Sequence, residues 1–328
     1  MTTKYNKVYI NEVSTITGPY EKDGPLSKYF DKSYKDLYFG EKTWEQAEVK
    51  LIIDSVDMVL NKVNKIKSDI DLHISGDLLN QVTASSYAAS VLKIPFLGIY
   101  SACASSAEGI IIGANMIEAG QIENVVTSVS SHNNAAEKQF RYPVEYGGPK
   151  RKTATFTTTG GAAAYLSKEK KGIKIESSTI GEVIDMGVTD AYNMGAVMAP
   201  AAASTIYNHL KDLDRDIDYY DLVLTGDLGK YGKNILKEYM MTEYGIKLTK
   251  YEDSATMIFD SENKYIHAGG SGPACIPLVT YSYIFSEMKK GAYKKILYVA
   301  TGALHSVSMV NQKLAIPAIA HLVSMEVS

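Results

Sequence analysis

The chain has 328 residues, 45% of them hydrophobic, with 34 basic against 37 acidic side chains and a net charge of -3. This composition supports a sizeable core in two domains or in two halves of one unit. The charge balance argues against a nucleic-acid partner and against a solvating acidic tail, but leaves room for a local anion site. Two cysteines, Cys103 and Cys275, cannot build a disulfide framework and lack metal-ligand spacing, which favours a reducing compartment.

Met1 to Tyr9 is polar, without the apolar run of a signal peptide. Val8 to Thr17 reads as an opening strand. Thr43-Trp44-Glu45-Gln46 has the form of a capping box, and the helix it starts is predicted to run to about Val63. Ala47, Leu51, Val56, Val59 and Leu60 give that helix one apolar face. Asp71 to Leu78 is a buried strand ending in Ser-Gly-Asp-Leu. Pro95 to Tyr100 is a second strand. Ser101-Ala102-Cys103-Ala104-Ser105-Ser106 then opens a helix ending near Gly120. Asn124 to Ser130 and Thr153 to Leu166 are the last strands of this half.

The same order then returns. Ile173 to Ile180 is a strand and Ala201 to Leu213 a helix. Asp221 to Leu228 repeats the earlier motif as Thr-Gly-Asp-Leu, at an offset of 221 − 71 = 150 residues. Gly269 to Ala274 opens a helix ending at Gly291, and Lys295 to Thr301 and Ile316 to Glu326 are strands. Boundaries of 1–170 and 171–328 divide the repeat. Two uncharged stretches, 191–208 and 268–286, are broken by Asn, Gly and Pro and read as buried junctions, not membrane spans. The order favours α/β layers with mostly parallel sheets.

Cys103 stands at a helix start, where the dipole favours thiolate and backbone N–H groups can hold an oxyanion. The bland alternative is a small buried cysteine filling a tight turn. A catalytic cysteine needs a base. His73 reads as packed, His209 as solvated or capping, and His267 as either. His132, His305 and His321 fall just past strands, where sites on α/β sheets form. Asp77 and Asp227 read as helix caps or turn anchors.

Several blocks, in order, carry a resemblance. They include Gly76-Asp77-Leu78-Leu79-Asn80-Gln81, Ser130-Ser131-His132-Asn133, Gln139-Phe140-Arg141-Tyr142-Pro143 and Glu145-Tyr146-Gly147-Gly148. Met198-Ala199-Pro200-Ala201, Leu224-Thr225-Gly226-Asp227-Leu228, Ala268-Gly269-Gly270-Ser271-Gly272, Ala300-Thr301-Gly302-Ala303-Leu304 and Ala320-His321 follow. The sequence resembles the stage V sporulation protein AD family, within the thiolase-like superfamily, over nearly its whole length. The resemblance implies a duplicated, five-layer α-β-α-β-α fold of the α/β class and a homodimer. It implies a non-catalytic protein that binds dipicolinate (pyridine-2,6-dicarboxylate), with or without calcium, during sporulation. Its implied partners are membrane proteins of the same transport system, and its implied place is the forespore or spore, peripheral to the inner membrane.

Cys103 matches the nucleophile position of ketoacyl carrier-protein synthases, which the superfamily includes. Those enzymes carry His-Gln-Ala-Asn where this chain has Gly226-Asp227-Leu228-Gly229, and Gly-Asn where it has Gly269-Gly270. The imidazole and amide of the condensing mechanism are therefore missing from both slots, each worth about 10²–10⁴ in rate. The expected ligand-binding set is Cys103, His132, Asn133, Arg141, Gly270, Ser271 and His321, with no cofactor and no dedicated metal site. Helix starts at Cys103 and Gly270 would offer N–H groups to the two carboxylates. Arg141 would clamp one of them, or else form an ion pair with Glu137 or Glu145. Tyr142 and Tyr146 are the least arbitrary stacking partners. The competing readings are an acyl-thioester transferase or hydrolase using Cys103, and a ligand-free scaffold for a spore membrane complex.

Overall fold

In the computed structural model, which describes residues 1–141, 151–260, 263 and 266–328, the strands form where the sequence is apolar or small on both faces. The first half runs β1 (Thr2–Lys4), β2 (Tyr9–Thr17), α1 (Pro19–Lys22), β3 (Lys32–Ser33), α2 (Trp44–Lys62), β4 (Leu72–Gly76) and α3 (Thr83–Leu92). It continues through β5 (Phe96–Gly98), α4 (Ser105–Glu118), β6 (Val125–Ser131), α5 (Asn133–Phe140), β7 (Phe156–Thr157) and β8 (Gly160–Ser167). The second half runs β9 (Ile173–Thr179), α6 (Met194–Leu213), β10 (Leu222–Thr225), α7 (Gly229–Tyr244), β11 (Tyr251–Asp253), α8 (Ala255–Ile258) and β12 (Gly270–Ser271). Then come α9 (Cys275–Val279), a π-helical turn (Thr280–Ile284), α10 (Phe285–Lys289), β13 (Lys295–Ala303), α11 (Val307–Asn311) and β14 (Ala318–Val327).

Ten strands line up in the order β11-β10-β13-β14-β9-β2-β8-β6-β4-β5. Five on each side share one order and one pattern of sense: β8 lies antiparallel between β2 and β6, as β14 does between β9 and β13. The sides join where Tyr9 and Ile10 pair with Lys174 and Ile173. The Asp71/Asp221 repeat has one physical job in both places. Asp71 Oδ2 accepts from the N–H groups of Glu123 and Asn124 at 2.8 and 2.9 Å. Asp221 Oδ2 accepts from Lys294 and Lys295 at 2.7 and 3.0 Å. Each carboxylate ties the start of one parallel strand to the start of its neighbour.

Three cores define the layers. Leu92, Val56 and Ile52 pack α2 and α3 on the outer face of the first side. Leu210, Ile206 and Leu236 pack α6 and α7 on the outer face of the second. Between the two sides lies the largest core, where Ile110 and Ile117 of α4 meet Leu278 and Ile276 of α9. This is the thiolase-like α/β arrangement. Among the described residues, no helix is long and apolar enough to cross a membrane.

Three expectations change. The sheet is not mostly parallel: five of the nine pairings along the ten-strand order are antiparallel. At Thr43 the hydroxyl caps Gln46 N at 3.2 Å, but Gln46 Oε1 reaches back to Lys42 N, one residue short of a closed box. Helix α6 starts at Met194, seven residues before the expected Ala201, and carries Pro200 inside it. The proline costs one rung to the Ala196 carbonyl. Burial of Val197, Met198, Ala199, Ala202 and Ala203 outweighs that loss.

Glu21 shows the cost of this packing. It is fully buried; Oε1 accepts from Thr159 N at 2.9 Å, while Oε2 has no hydrogen-bond partner among the described residues. Burial pushes its pKa up to about 8. The folded chain therefore holds a proton that the unfolded chain releases near the ordinary carboxyl value. Stability from this group is complete below that value and is lost as pH rises through about 8. Glu21→Gln should raise the thermal midpoint more at pH 8.5 than at pH 5.5, as read by fluorescence melting. An equal effect at both pH values would mean that Glu21 is already ionised in the fold.

Candidate functional site

The two sides meet at a small two-stranded ladder that the sequence does not announce. Ser271 of β12 stands opposite Thr157 of β7, and Thr158 N donates to Ser271 O at 2.8 Å. Asn133 locks the ladder from the start of α5: its Nδ2 donates to Thr157 O at 3.0 Å, and Thr159 Oγ1 accepts from its N–H at 3.0 Å. Beside this ladder opens a cavity of about 560 Å³, counting its mouth. Leu78, Tyr100, Phe140, Met194 and Met198 form apolar and aromatic walls. Cys103, Arg141, Thr155, Thr157, Ser271 and His305 supply the polar atoms.

Cys103 reaches the cavity through a strained elbow. Ala102 has φ 51°, in the left-handed region that a residue with a Cβ rarely adopts. Ser105 stabilises the turn: its Oγ accepts from Ser101 N at 3.0 Å and donates to Ala102 O at 2.8 Å. Helix α4 then begins, two residues after the thiol.

The helix start was expected to favour thiolate; the thiol keeps some exposure to the cavity, but its surroundings favour the neutral form. Burial pushes the Cys103 thiol well above its usual range, and the Asp227 carboxyl beside it adds to the shift. Gly272 N–H and Arg141 act the other way and do not offset this. Desolvation and a like charge outweigh the dipole.

Asp227 departs from its expected role as a helix cap. Asp253 performs that task, accepting from Gly229 N at 2.9 Å, from Leu228 N at 3.2 Å and from Thr225 Oγ1. The parallel pairing of β10 with β11 places Asp253 under the start of α7. Asp227 is fully buried, and neither carboxyl oxygen has a hydrogen-bond partner of ordinary geometry among the described residues. Burial pushes its pKa well above the usual carboxylate range; the Cys103 thiol pulls it down, and the Asp253 charge pushes it further up. Asp77 does hold its turn, accepting from Leu79 N at 2.9 Å and Ser85 N at 2.8 Å.

The structure brings Cys103, Arg141 and Ser271 together on one cavity and sets the other expected residues around it. His132 is buried, gives Nε2 to the Leu37 carbonyl at 2.8 Å and caps α5. Gly270 sits behind the wall, where a Cβ would come within 3.2 Å of Cys275 Sγ and 2.7 Å of Ile258. His321 lies on β14 and accepts from Gly181 N at 3.3 Å. His209, expected to be solvated or capping, is buried between Thr179 Oγ1 at 2.7 Å and Tyr220 OH at 2.8 Å. Arg141 lines the cavity and also pairs with Glu137 at 2.5 Å, with its side chain 9% exposed. Tyr142, Glu145 and Tyr146 lie outside the described residues.

His305, noted from its place past a strand but left out of the expected ligand set, lines the cavity. It follows β13, at the strand end where such sites form, and its ring packs 5.5 Å from Phe140. Burial lowers its pKa to about 4, so it faces the cavity as neutral imidazole at neutral pH. Met194 and Met198 were missed because Pro200 moved the expected helix start past them. Among the described residues, no three His, Cys, Asp or Glu side chains converge as a metal site.

The model of the stage V sporulation protein AD family matches residues 2–326. The chain belongs to that family. Stage V sporulation protein AD of Bacillus subtilis (strain 168) is 46% identical over 320 residues, which is 97% of this chain and 94% of that one. Among solved structures, OleA of Xanthomonas campestris superposes with a TM-score of 0.61 at 15% identity, covering 99% of each chain. The 3-oxoacyl-[acyl-carrier-protein] synthase III of Aquifex aeolicus VF5 gives 0.56 at 14% identity, covering 100% of each. At these identities the solved structures share the fold alone. The family makes the chain a sporulation protein.

The placement of His132 carries a test. His132→Ala should lower the unfolding free energy by about 1–3 kcal/mol, through a lost cap and a lost buried hydrogen bond. Urea unfolding measures this. A variant that unfolds like the native protein would remove His132 from the framework of the site.

Proposed function

We propose that this chain binds dipicolinate in the Cys103 cavity and does not catalyse acyl transfer. The observation that carries the reading is the pairing of Arg141 and Ser271 with aromatic and apolar walls around one cavity. A flat ring fits between Tyr100, Phe140 and the methionines, and a guanidinium is the natural partner of one carboxylate. His305, Thr155 and Thr157 offer neutral donors for the other. Asp227 would repel a dianion if ionised, and burial favours its neutral form. Two features support a non-catalytic role: the surroundings of the Cys103 thiol favour its neutral form, and Gly226-Asp227-Leu228-Gly229 carries no histidine where the condensing enzymes have His-Gln-Ala-Asn.

The same proposal places the protein in the forespore or spore, peripheral to the inner membrane. There it would serve membrane proteins that move dipicolinate, with calcium accompanying the ligand or not. It also includes a homodimer. Among the described residues, no strand pairs with the outer edge of β5. Around it Tyr87, Val91, Leu97 and Tyr100 are 66%, 55%, 41% and 44% exposed. A second copy pairing there about a twofold axis would continue the sheet and cover all four. Tyr100 would then carry the interface to the cavity wall.

One specific observation favours the rival acyl-thioester reading: the thiol itself lines the cavity. Calorimetry of dipicolinate, with and without calcium, separates the cases. Saturable binding should weaken roughly tenfold to a hundredfold in Arg141→Ala, the worth of a charge-assisted hydrogen bond, and by less in His305→Ala. Binding unchanged in both variants would move the ligand out of this cavity. No binding under any condition would leave the ligand-free scaffold, and acyl loading of Cys103 by acyl-CoA would establish the enzyme.

A further inference from the structure

We propose that Gln139 is a positioning residue: it ties the helix end that carries Phe140 and Arg141 to the turn that carries Leu78, and so sets the spacing across the cavity. The inference deepens the proposed binding role and rests on it for the ligand; the tie itself stands on geometry alone.

Two sequence blocks that the proposed function left largely unused meet here, Gly76 to Gln81 and the block that begins at Gln139. Gln139 Nε2 donates to the Leu78 carbonyl at 2.9 Å, and Gln139 Oε1 accepts from Asn80 N, also at 2.9 Å. Turning the amide over would set donor against donor and acceptor against acceptor, so its two backbone partners fix its orientation.

Both ends of the tie need it. Helix α5 has eight residues, too few to keep its shape without anchors. His132 and Asn133 anchor its start. Its last turn bears Phe140 and leads to Arg141, both on the cavity. Lys138 pairs with Glu45 there, but that ion pair is exposed to solvent and holds weakly. On the other side, Gln81 and Val82 are consecutive left-handed residues, with φ 61° and 54°. Val82 is β-branched, for which that conformation is an outlier. Such a turn persists where its surroundings over-determine it. Asp77 holds it from within, through Leu79 N and Ser85 N, and Gln139 holds it from α5. Leu78 also packs with Ala136 and Phe140. Apolar packing is non-directional and lets these surfaces slide; the two hydrogen bonds set their register.

The consequence is selectivity. A ligand with two carboxylates needs Arg141 at a fixed distance from the neutral donors of the opposite wall, such as Ser271. A ligand with one carboxylate can shift to follow Arg141.

The test is calorimetry of pyridine-2,6-dicarboxylate and of pyridine-2-carboxylate on the full-length protein. The samples are the native chain, Gln139→Met, Arg141→Ala and the double variant. Methionine keeps the length of the side chain and removes both hydrogen bonds. Gln139 is only half-buried, so the thermal midpoint should move little. Gln139→Met should weaken the dicarboxylate about tenfold, the worth of about one hydrogen bond, and the monocarboxylate about twofold or less. In the Arg141→Ala background the same change should cost the dicarboxylate about twofold or less, because Gln139 acts through Arg141. Equal losses for both ligands, or equal losses in both backgrounds, would overturn the proposal. Hydrogen exchange of the ligand-free protein, read by mass spectrometry, gives a second readout. In Gln139→Met the amides of Asn80 and Arg141 should exchange about tenfold faster, while that of Ala135 at the start of α5 stays as it is. Unchanged exchange at Asn80 and Arg141 would also overturn the proposal. A native protein that binds neither acid would end the ligand reading, and exchange would then decide the tie by itself.

Discussion

Helices α4 and α9 lie between the two sides of the sheet; α9 is buried along its whole length and α4 over most of its surface. That constraint selects small residues along α4. A Cβ at Gly113 would lie 3.1 Å from Val125, and one at Gly109 would lie 3.4 Å from Ile99. It also demands internal partners for polar atoms: Tyr298 of the second side gives its hydroxyl to Ser106 at 2.6 Å, and Tyr5 bonds Asn115 at 3.0 Å. The starts of both helices then fall in the dry centre of the molecule. Every ionisable group placed there is pushed toward its neutral form.

The site's character follows from that dry centre. In a hydrated cleft a cysteine at a helix start would gain thiolate character. Here the same position, beside Asp227, does the reverse. The neutral thiol, the neutral acid and the unprotonated His305 leave Arg141 with its Glu137 partner as the charged groups of the cavity. Recognition of a small acid would then depend on the fixed geometry of a few donors more than on net charge, and the β7–β12 ladder supplies that rigidity.

Much of the fold was legible in the sequence. The Asp71/Asp221 repeat marked equivalent strand starts because a carboxylate bridging two strands is a local, position-specific need. Most strand boundaries fell within a few residues, but the run read as one strand over Thr153 to Leu166 is two, β7 and β8, in different sheets. The site was legible only in part. Cys103 and Ser271, expected from small-residue helix starts, line the cavity. His132 and His321 turn to other partners, because position past a strand end does not say which way a ring turns. His305, noted on the same ground but left out of the expected ligand set, faces the cavity. Asp227 was the deepest miss: sequence shows an aspartate after a strand, but not that Asp253, 26 residues later, takes the cap and leaves it without partners.

The proposal is that the Cys103 cavity of this thiolase-like fold holds a small dicarboxylate. The most direct measurement is a structure of the protein crystallised with pyridine-2,6-dicarboxylate. The account predicts the ring between Tyr100 and Phe140, one carboxylate on Arg141 and Ser271, and Cys103 unmodified. Density for the ligand elsewhere, or an empty cavity at saturating ligand, would contradict it.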